Sequence, residues 1–294
     1  MDNSNLQELE RLRKKVLYYD VLAIVPIIAG IVLAFATGKF LLIMIGFVVT
    51  IVMLICGSKL LKNYKKYYKD VFIKSVIQLA FPGATYEPEQ GFPKAMISET
   101  GLMLMGNIYH SEDYIRGVCN DVEFERADML IQDESTDSDG NTYTTTYLRG
   151  RWMIFESNKT FTADLQIIQK GFGYAKKKKG FFTRKTERRH ELKTEDEQFN
   201  RMFQCMCQDD GEAFYLLTPG VMQSLMQLAQ TMDGKVMVGF VDNRIHVAVN
   251  SNKDSLEPPV MHAVSDKEVA EVQNEIRAVT SFIAGLKLER KIFQ

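Results

Sequence analysis

Residues 21–56 read VLAIVPIIAGIVLAFAT GK FLLIMIGFVVTIVMLIC: two uncharged apolar runs, 21–37 and 40–56, joined only by Gly38 and Lys39. A bilayer core about 30 Å thick needs roughly 20 apolar helical residues, with about 17 near the lower limit, so each run just suffices to span it. Pro26 is compatible with a membrane helix, because a neighbouring helix can satisfy the carbonyl that proline frees. The plainer alternatives are a pair of core helices in a soluble protein, or a signal peptide. The second run follows the first too closely for a cleavage site and a mature chain to begin there.

Arg11, Arg13, Lys14 and Lys15 precede the first run, Lys59, Lys62, Lys65, Lys66 and Lys69 follow the second, and Lys39 alone lies between them. By the positive-inside rule both termini are cytoplasmic and the protein is a two-span protein of the inner (plasma) membrane. Tyr18 and Tyr19 on one flank, and Tyr64, Tyr67 and Tyr68 on the other, suit an interfacial aromatic belt. The spans hold no ionisable side chain, so they read as an anchor rather than a conduit.

The chain has 294 residues and a net charge of −1, which argues for no nucleic-acid partner. Cys56, Cys119, Cys205 and Cys207 make no disulfide framework and suit a reducing compartment. The remaining organisation is a cytosolic tail (1–20), the hairpin (21–56), an amphipathic juxtamembrane helix (57–81), an antiparallel β region (95–170), a basic aromatic loop (171–193) and an α+β C-terminal region (194–294). In the juxtamembrane helix, Leu61, Tyr64, Tyr68, Val71, Phe72, Val76 and Leu79 recur at helical spacing, and Phe81-Pro82-Gly83 ends it.

Alternation of apolar and polar residues, as in 121–127, gives half-buried antiparallel strands, with about five between residues 101 and 169 and a hairpin turn at Ser138-Asp139-Gly140-Asn141. Residues 194–207 read as a helix, 213–217 as a strand, Thr218-Pro219 as a helix start, 236–241 and 245–249 as a strand pair, and 265–288 as a closing helix. The fold class is therefore α+β: a transmembrane hairpin, then a cytosolic antiparallel sheet with an αβαββα-like C-terminal half.

The order of several short motifs resembles an uncharacterised bacterial family, the domain of unknown function numbered three-one-three-seven. The residues concerned are Asp113-Tyr114-Ile115 with Gly117, Leu148-Arg149-Gly150 with Phe155, and Tyr215-Leu216-Leu217-Thr218-Pro219 with Met222. Further on are Phe240 with Asn243 and Ile245, Leu256-Glu257-Pro258-Pro259, and the ending Leu286, Leu288, Ile292 and Phe293. The resemblance implies a two-helix hairpin before a cytosolic α+β region, and brings no catalytic residues. The basic insert 170–189 departs from the family pattern.

No motif announces chemistry. Ser135, Asp137, Asp139 and Gly140 imitate half a calcium loop, but Thr146 stands where the bidentate Glu belongs, which favours a solvated turn. Cys205 and Cys207, placed on a helix, would face different ways and lack further metal ligands, so no metal site is read. His110, His190, His246 and His262 are scattered and read as structural or solvated. Gly171-Phe172-Gly173-Tyr174 lacks the phosphate-loop pattern, so no cofactor is expected.

What stands out is charge: Lys176, Lys177, Lys178, Lys179, Arg184 and Lys185, with Lys170, Arg188 and Arg189, interleaved with Phe172, Phe181 and Phe182. A solvated loop is the ordinary meaning of such a run. The sharper one is contact with anionic headgroups through Lys176 to Lys179, Phe181, Phe182, Arg184 and Lys185, at about 1 kcal/mol per basic residue. Together these features suggest a membrane-anchored interaction or scaffold protein that binds another protein and is not an enzyme. The alternatives are a sensor of anionic lipid and, more remotely, an enzyme whose site is assembled from distant residues.

Overall fold

The structure is a computed structural model and describes residues 3–119, 121–157, 160–173, 189–254, 256–264 and 266–285. The chain divides into a helical unit, 1–76 with 256–269, and a sheet unit, 77–255 with 270–294.

In the helical unit, α1 (Asn3–Thr37) and α2 (Leu41–Tyr67) are long and apolar enough to cross a membrane. They join through Gly38, whose φ of +70° is the left-handed value that glycine tolerates. Their backbones pack closely. A Cβ on Gly30 would lie 2.6 Å from the Leu42 carbonyl oxygen, and one on Gly46 would lie 2.5 Å from that of Pro26. Small residues at a helix crossing permit this approach.

Beyond Tyr67 the helix widens into a π turn, Tyr68–Ile73, and resumes as α3 (Lys74–Ala80). The sequence supplies a reason. Tyr64, Tyr68, Phe72 and Val76 recur every four residues, and all four are buried. In an ideal α-helix such a stripe drifts by about 40° per step. A wider i→i+5 turn corrects the drift and keeps the stripe on one side. Tyr68 and Phe72 stack there with ring centroids 5.2 Å apart.

That stripe corrects the aromatic-belt expectation for Tyr64 and Tyr68. The Tyr64 hydroxyl donates to the Pro259 carbonyl at 2.7 Å, and Lys65 and Lys69 both pair with Glu257. Arg13 donates to the Val260 carbonyl at 2.9 Å. Residues 257–260 thus form a strap on the bases of α1 and α2, using part of the basic flank for internal bonding. Leu79, placed on the apolar stripe by its spacing, is instead exposed.

The sheet unit carries nine strands among the described residues, in the order β1-β2-β3-β4-β9-β8-β5-β7-β6, with every pairing antiparallel. They are β1 (Thr85–Glu87), β2 (Ile108–Cys119), β3 (Val122–Thr136), β4 (Thr142–Glu156), β5 (Leu165–Gln169), β6 (His190–Leu192), β7 (Phe203–Cys207), β8 (Lys235–Val241) and β9 (Arg244–Asn250). The alternating segments expected as separate short strands fuse into the 15-residue β3 and β4. Their turn is built as expected. Asp137 Oδ1 accepts from the amides of Asp139 at 3.0 Å and Asn141 at 2.8 Å, so the calcium-like carboxylate is already committed to the turn.

The helices of this unit include α4 (Lys94–Glu99), α5 (Glu197–Met202), α6 (Asp210–Leu216), α7 (Pro219–Thr231) and, from residue 270 onward, α8 (Asp266–Gly285). Trp152, Ile154, Leu148, Ile131, Met237 and Ala248 lie in one buried cluster with Ile97 and Leu102. Thr218 caps α7 and Pro219 opens it, as the sequence indicates. Ile276, Val279, Phe282 and Ile283 form the buried stripe of α8.

Two expectations fail here. Residues 194–207 are not one helix: α5, capped by Asp196 accepting from the Phe199 amide, stops at Met202, and Phe203 turns extended. From there Phe203, Cys205 and Cys207 alternate inward, and β7 gains ladder bonds on both sides. Residues 213–217 are not a strand, because Asp209 accepts from the Glu212 amide at 2.8 Å and starts α6. Ala213, Leu216 and Leu217 are buried at helical spacing, while Phe214 and Tyr215 are exposed. The C-terminal order is therefore αβααββα rather than αβαββα: its first strand lies at 203–207, and α6 occupies the place expected for it.

Candidate functional site

The candidate lipid-contacting side chains Lys176, Lys177, Lys178, Lys179, Phe181, Phe182, Arg184 and Lys185 lie outside the described residues. The two ends of that basic stretch are described, and they are structural. Phe172 is 1 % exposed in the sheet-unit core, turned inward between Gly171 and Gly173, both at positive φ, with its carbonyl accepting from Asn250 Nδ2. It is thus not available to a lipid surface. Lys170 donates to the Asn200 carbonyl at 2.7 Å. Arg189 is buried, donating to the carbonyls of Gly101 and Thr100 and, at 2.8 Å, to Asp164 Oδ2. These bonds occupy both terminal nitrogens and offset the cost of burying the guanidinium, while its Nε has no hydrogen-bond partner among the described residues.

Immediately after Arg189, the sheet assembles a constellation that sequence spacing does not reveal. In register, His190 of β6 stands directly opposite Cys207 of β7, so both side chains leave the same face. Three residues beyond Cys207, Asp210 opens α6 and brings its carboxylate back over them. His190 Nε2 lies 2.6 Å from Asp210 Oδ1, Cys207 Sγ lies 3.5 Å from the same oxygen, and Sγ lies 3.7 Å from Nε2. His190 and Asp210 are exposed and Cys207 is buried beneath them.

The electrostatics follow from that placement. Burial, then the hydrogen bond to Asp210, pushes the Cys207 thiol up to about 11, while the bond from His190 holds the Asp210 carboxyl below its usual range. Burial similarly raises Cys205 to about 12. A thiol protonated at neutral pH is a weak nucleophile. Cys207 and Asp210 also meet the same imidazole nitrogen, whereas a nucleophile relay needs the two on opposite ring nitrogens. What the arrangement offers is a nitrogen, a sulfur and an oxygen converging on one point.

A second polar cluster lies around β2 and β3. Asp113 sits at φ +59° where the β2–β3 register shifts between Glu112 and Ile115, and its Oδ1 accepts from the Tyr86 hydroxyl at 2.5 Å. Asp128 pairs with Arg126 at 3.0 Å, and the carboxylates of Asp113, Asp128 and Asp254 lie close together. Asp113, Asp128 and Arg126 are buried. Burial and the Asp113 carboxylate push the Tyr86 hydroxyl well above its ordinary value, so it stays protonated as a donor. This is a bulge held by a buried polar network, and it accounts for the Asp113-Tyr114-Ile115 motif as a structural one.

The other histidines play different parts. His246 is buried, its Nδ1 accepting from Trp152 Nε1 at 3.2 Å, and burial lowers its pKa to about 3. His110 and His262 are exposed on separate loops and strands.

Residues 146–288 match a family model described as a protein of unknown function (DUF3137). No curated protein matches the chain. Among solved structures, the chain is similar to the mycobacterial trehalose monomycolate transport factor A, TtfA, at 11 % identity and a TM-score of 0.40, over 75 % of this chain and 96 % of that one.

Proposed function

We propose that this chain is an integral membrane protein anchored by the α1–α2 hairpin, with both termini in the cytoplasm, and that its sheet unit works by binding another protein rather than by chemistry of its own. The observation that carries the anchor is the outward placement of apolar side chains. In the most apolar stretch of each helix, only 17 % and 11 % of the residues respectively are buried. Core helices of a soluble protein bury such residues. A contiguous apolar surface on this scale requires a partner phase. Arg11, Lys14, Lys15, Lys59, Lys62 and Lys66 at the hairpin's open end support the orientation.

Two measurements test the reading. The full chain should stay with membranes through alkaline carbonate, and protease added outside spheroplasts should leave the sheet unit intact; release, or cleavage from outside, would overturn it. For partner binding, crosslinking in intact membranes through a photoreactive residue at Tyr215, which is exposed on α6, should give a discrete protein adduct. Background alone across growth conditions would remove that part.

A second reading rests on the density of charge in the sequence: the loop Lys176 to Lys185 touches anionic headgroups, with Phe181 and Phe182 at the interface. An environment-sensitive fluorophore at position 182 of the full chain should shift to the blue in anionic but not zwitterionic nanodiscs, and revert with salt. Equal spectra in both lipids would eliminate it.

A further inference from the structure

We infer that His190, Cys207 and Asp210 form a binding site for a borderline-soft divalent metal ion such as Zn²⁺, held by three protein ligands with a fourth position left for water. This goes beyond the membrane reading and does not depend on it.

The geometry carries the inference. In a tetrahedral zinc site, metal–ligand distances of about 2.3 Å to sulfur and about 2.0 Å to nitrogen or oxygen place sulfur about 3.5 Å from each other ligand. The same distances put nitrogen and oxygen about 3.3 Å apart. Here Sγ lies 3.7 Å from Nε2 and 3.5 Å from Oδ1, close to those values without adjustment. Only the 2.6 Å contact between Nε2 and Oδ1 has to widen, and it joins the two exposed side chains, which have room to move.

The scaffold is fixed independently of any ion. Antiparallel register holds His190 opposite Cys207, and the cap of α6 by Asp209 sets the first residue of that helix, Asp210. The ligands therefore come from two adjacent strands and a helix start, which is why no spacing motif of the zinc-finger kind appears.

Binding replaces a proton with a cation. The Cys207 Sγ–H bond breaks, its proton leaves to water, and the sulfur lone pair bonds the metal; His190 loses the Nε2 proton that it donates to Asp210 and takes one from water on Nδ1, so that the neutral ring offers its Nε2 lone pair; Asp210 gives Oδ1. No electron is transferred. The contacts of the metal-free site, with thiol and imidazole both directed at one carboxylate oxygen, are those expected when protons stand in for the ion.

The test uses the full chain in nanodiscs with Co²⁺ and Zn²⁺ alone. Co²⁺ should give a thiolate charge-transfer band and tetrahedral visible bands, retained when Cys56 and Cys119 are replaced by Ser and lost in Cys207→Ser. A chromophoric-chelator competition should show Zn²⁺ binding at least tenfold weaker in His190→Ala and in Asp210→Asn. Those two positions are exposed, so these variants keep the test decisive if Cys207→Ser fails to fold. No thiolate band in the native chain, a band surviving in folded Cys207→Ser, or undiminished Zn²⁺ affinity in both surface variants would overturn the site.

Discussion

Along α1 and α2 the large aliphatic side chains face outward, with Ile28 at 54 % exposure and Val32 at 60 %; along β4 and β9 the same residue types face inward, with Ile154 at 2 % and Val247 at 0 %. Composition is therefore not what separates the two regions. The difference lies in what the rest of the fold covers: Met153, Ile154 and Phe155 of β4 and Val247, Ala248 and Val249 of β9 are consecutive apolar residues on interior strands, buried on both faces. β3 through residues 122–126 reads Val-Glu-Phe-Glu-Arg and so has an inside and an outside, whereas residues 40–56 have no polar face at all. A segment without a polar side calls for an apolar surrounding on every side, and one helical neighbour does not provide it.

The contrast can be broken by substitution. The largest effect belongs to the sheet unit: Trp152→Ala empties the most voluminous fully buried position and should cost about 3–5 kcal/mol. Circular dichroism during denaturant titration measures this, whereas Phe35→Ala on the outer surface of α1 should leave the same transition in place. Next is Ile28→Arg, which should cost about 2.5–3.5 kcal/mol of membrane insertion and release the chain into the carbonate supernatant. An aqueous bundle would accept that exposed charge within about 0.5 kcal/mol, so unchanged behaviour would erase the distinction between the two regions.

Two further changes sharpen it. Gly46→Leu places atoms against the Pro26 carbonyl and should destabilise the hairpin by about 1–3 kcal/mol in detergent, while Val48→Leu at an exposed position does not. The sheet unit should also carry an acid sensitivity in which the hairpin has no part. His246 has its folded pKa lowered from 6.5 to about 3, so between those values the unfolded chain binds a proton that the folded chain does not. Stability is then level above pH 6.5 and falls by about 1.4 kcal/mol per unit as pH drops towards 3. His246→Phe should flatten the difference between pH 6 and pH 4, whatever its offset; an unchanged slope would show that carboxylates alone set the acid limit.

The same contrast explains what was legible in the sequence. Strong local signals are the legible ones: the apolar runs, the Ser138-to-Asn141 turn, the Thr218-Pro219 helix start, and the pair 236–241 and 245–249 all encode their structure within a few residues. The α+β class followed from them. Residues 203–207 and 213–217 are ambiguous in the sequence because aromatic and aliphatic clusters of that length fit either state, and a distant strand partner or a local cap decides between them. Cys205 and Cys207 show the cost: on a helix they diverge, on β7 they share a face, and only the second placement puts Cys207 opposite His190. Arg189 and Phe172 looked like loop residues by composition, yet both serve the fold through partners as far away as Thr100 and Asn250.

The strap at residues 257–260 has a consequence for biosynthesis. Synthesis runs from the N-terminus, so α1 and α2 leave the ribosome long before the residues that complete their base. Tyr64 waits 195 residues for the Pro259 carbonyl, and Arg13 waits 247 for that of Val260. Everything translated in that interval includes all nine strands. The helical unit is thus begun first and completed only after the last described strand, and a ribosome stalled anywhere within the sheet leaves a hairpin whose basic end has none of its closing contacts. Sequence-contiguous truncation has the same result: no cut upstream of residue 256 yields a complete helical unit, because its final piece is made only after the sheet.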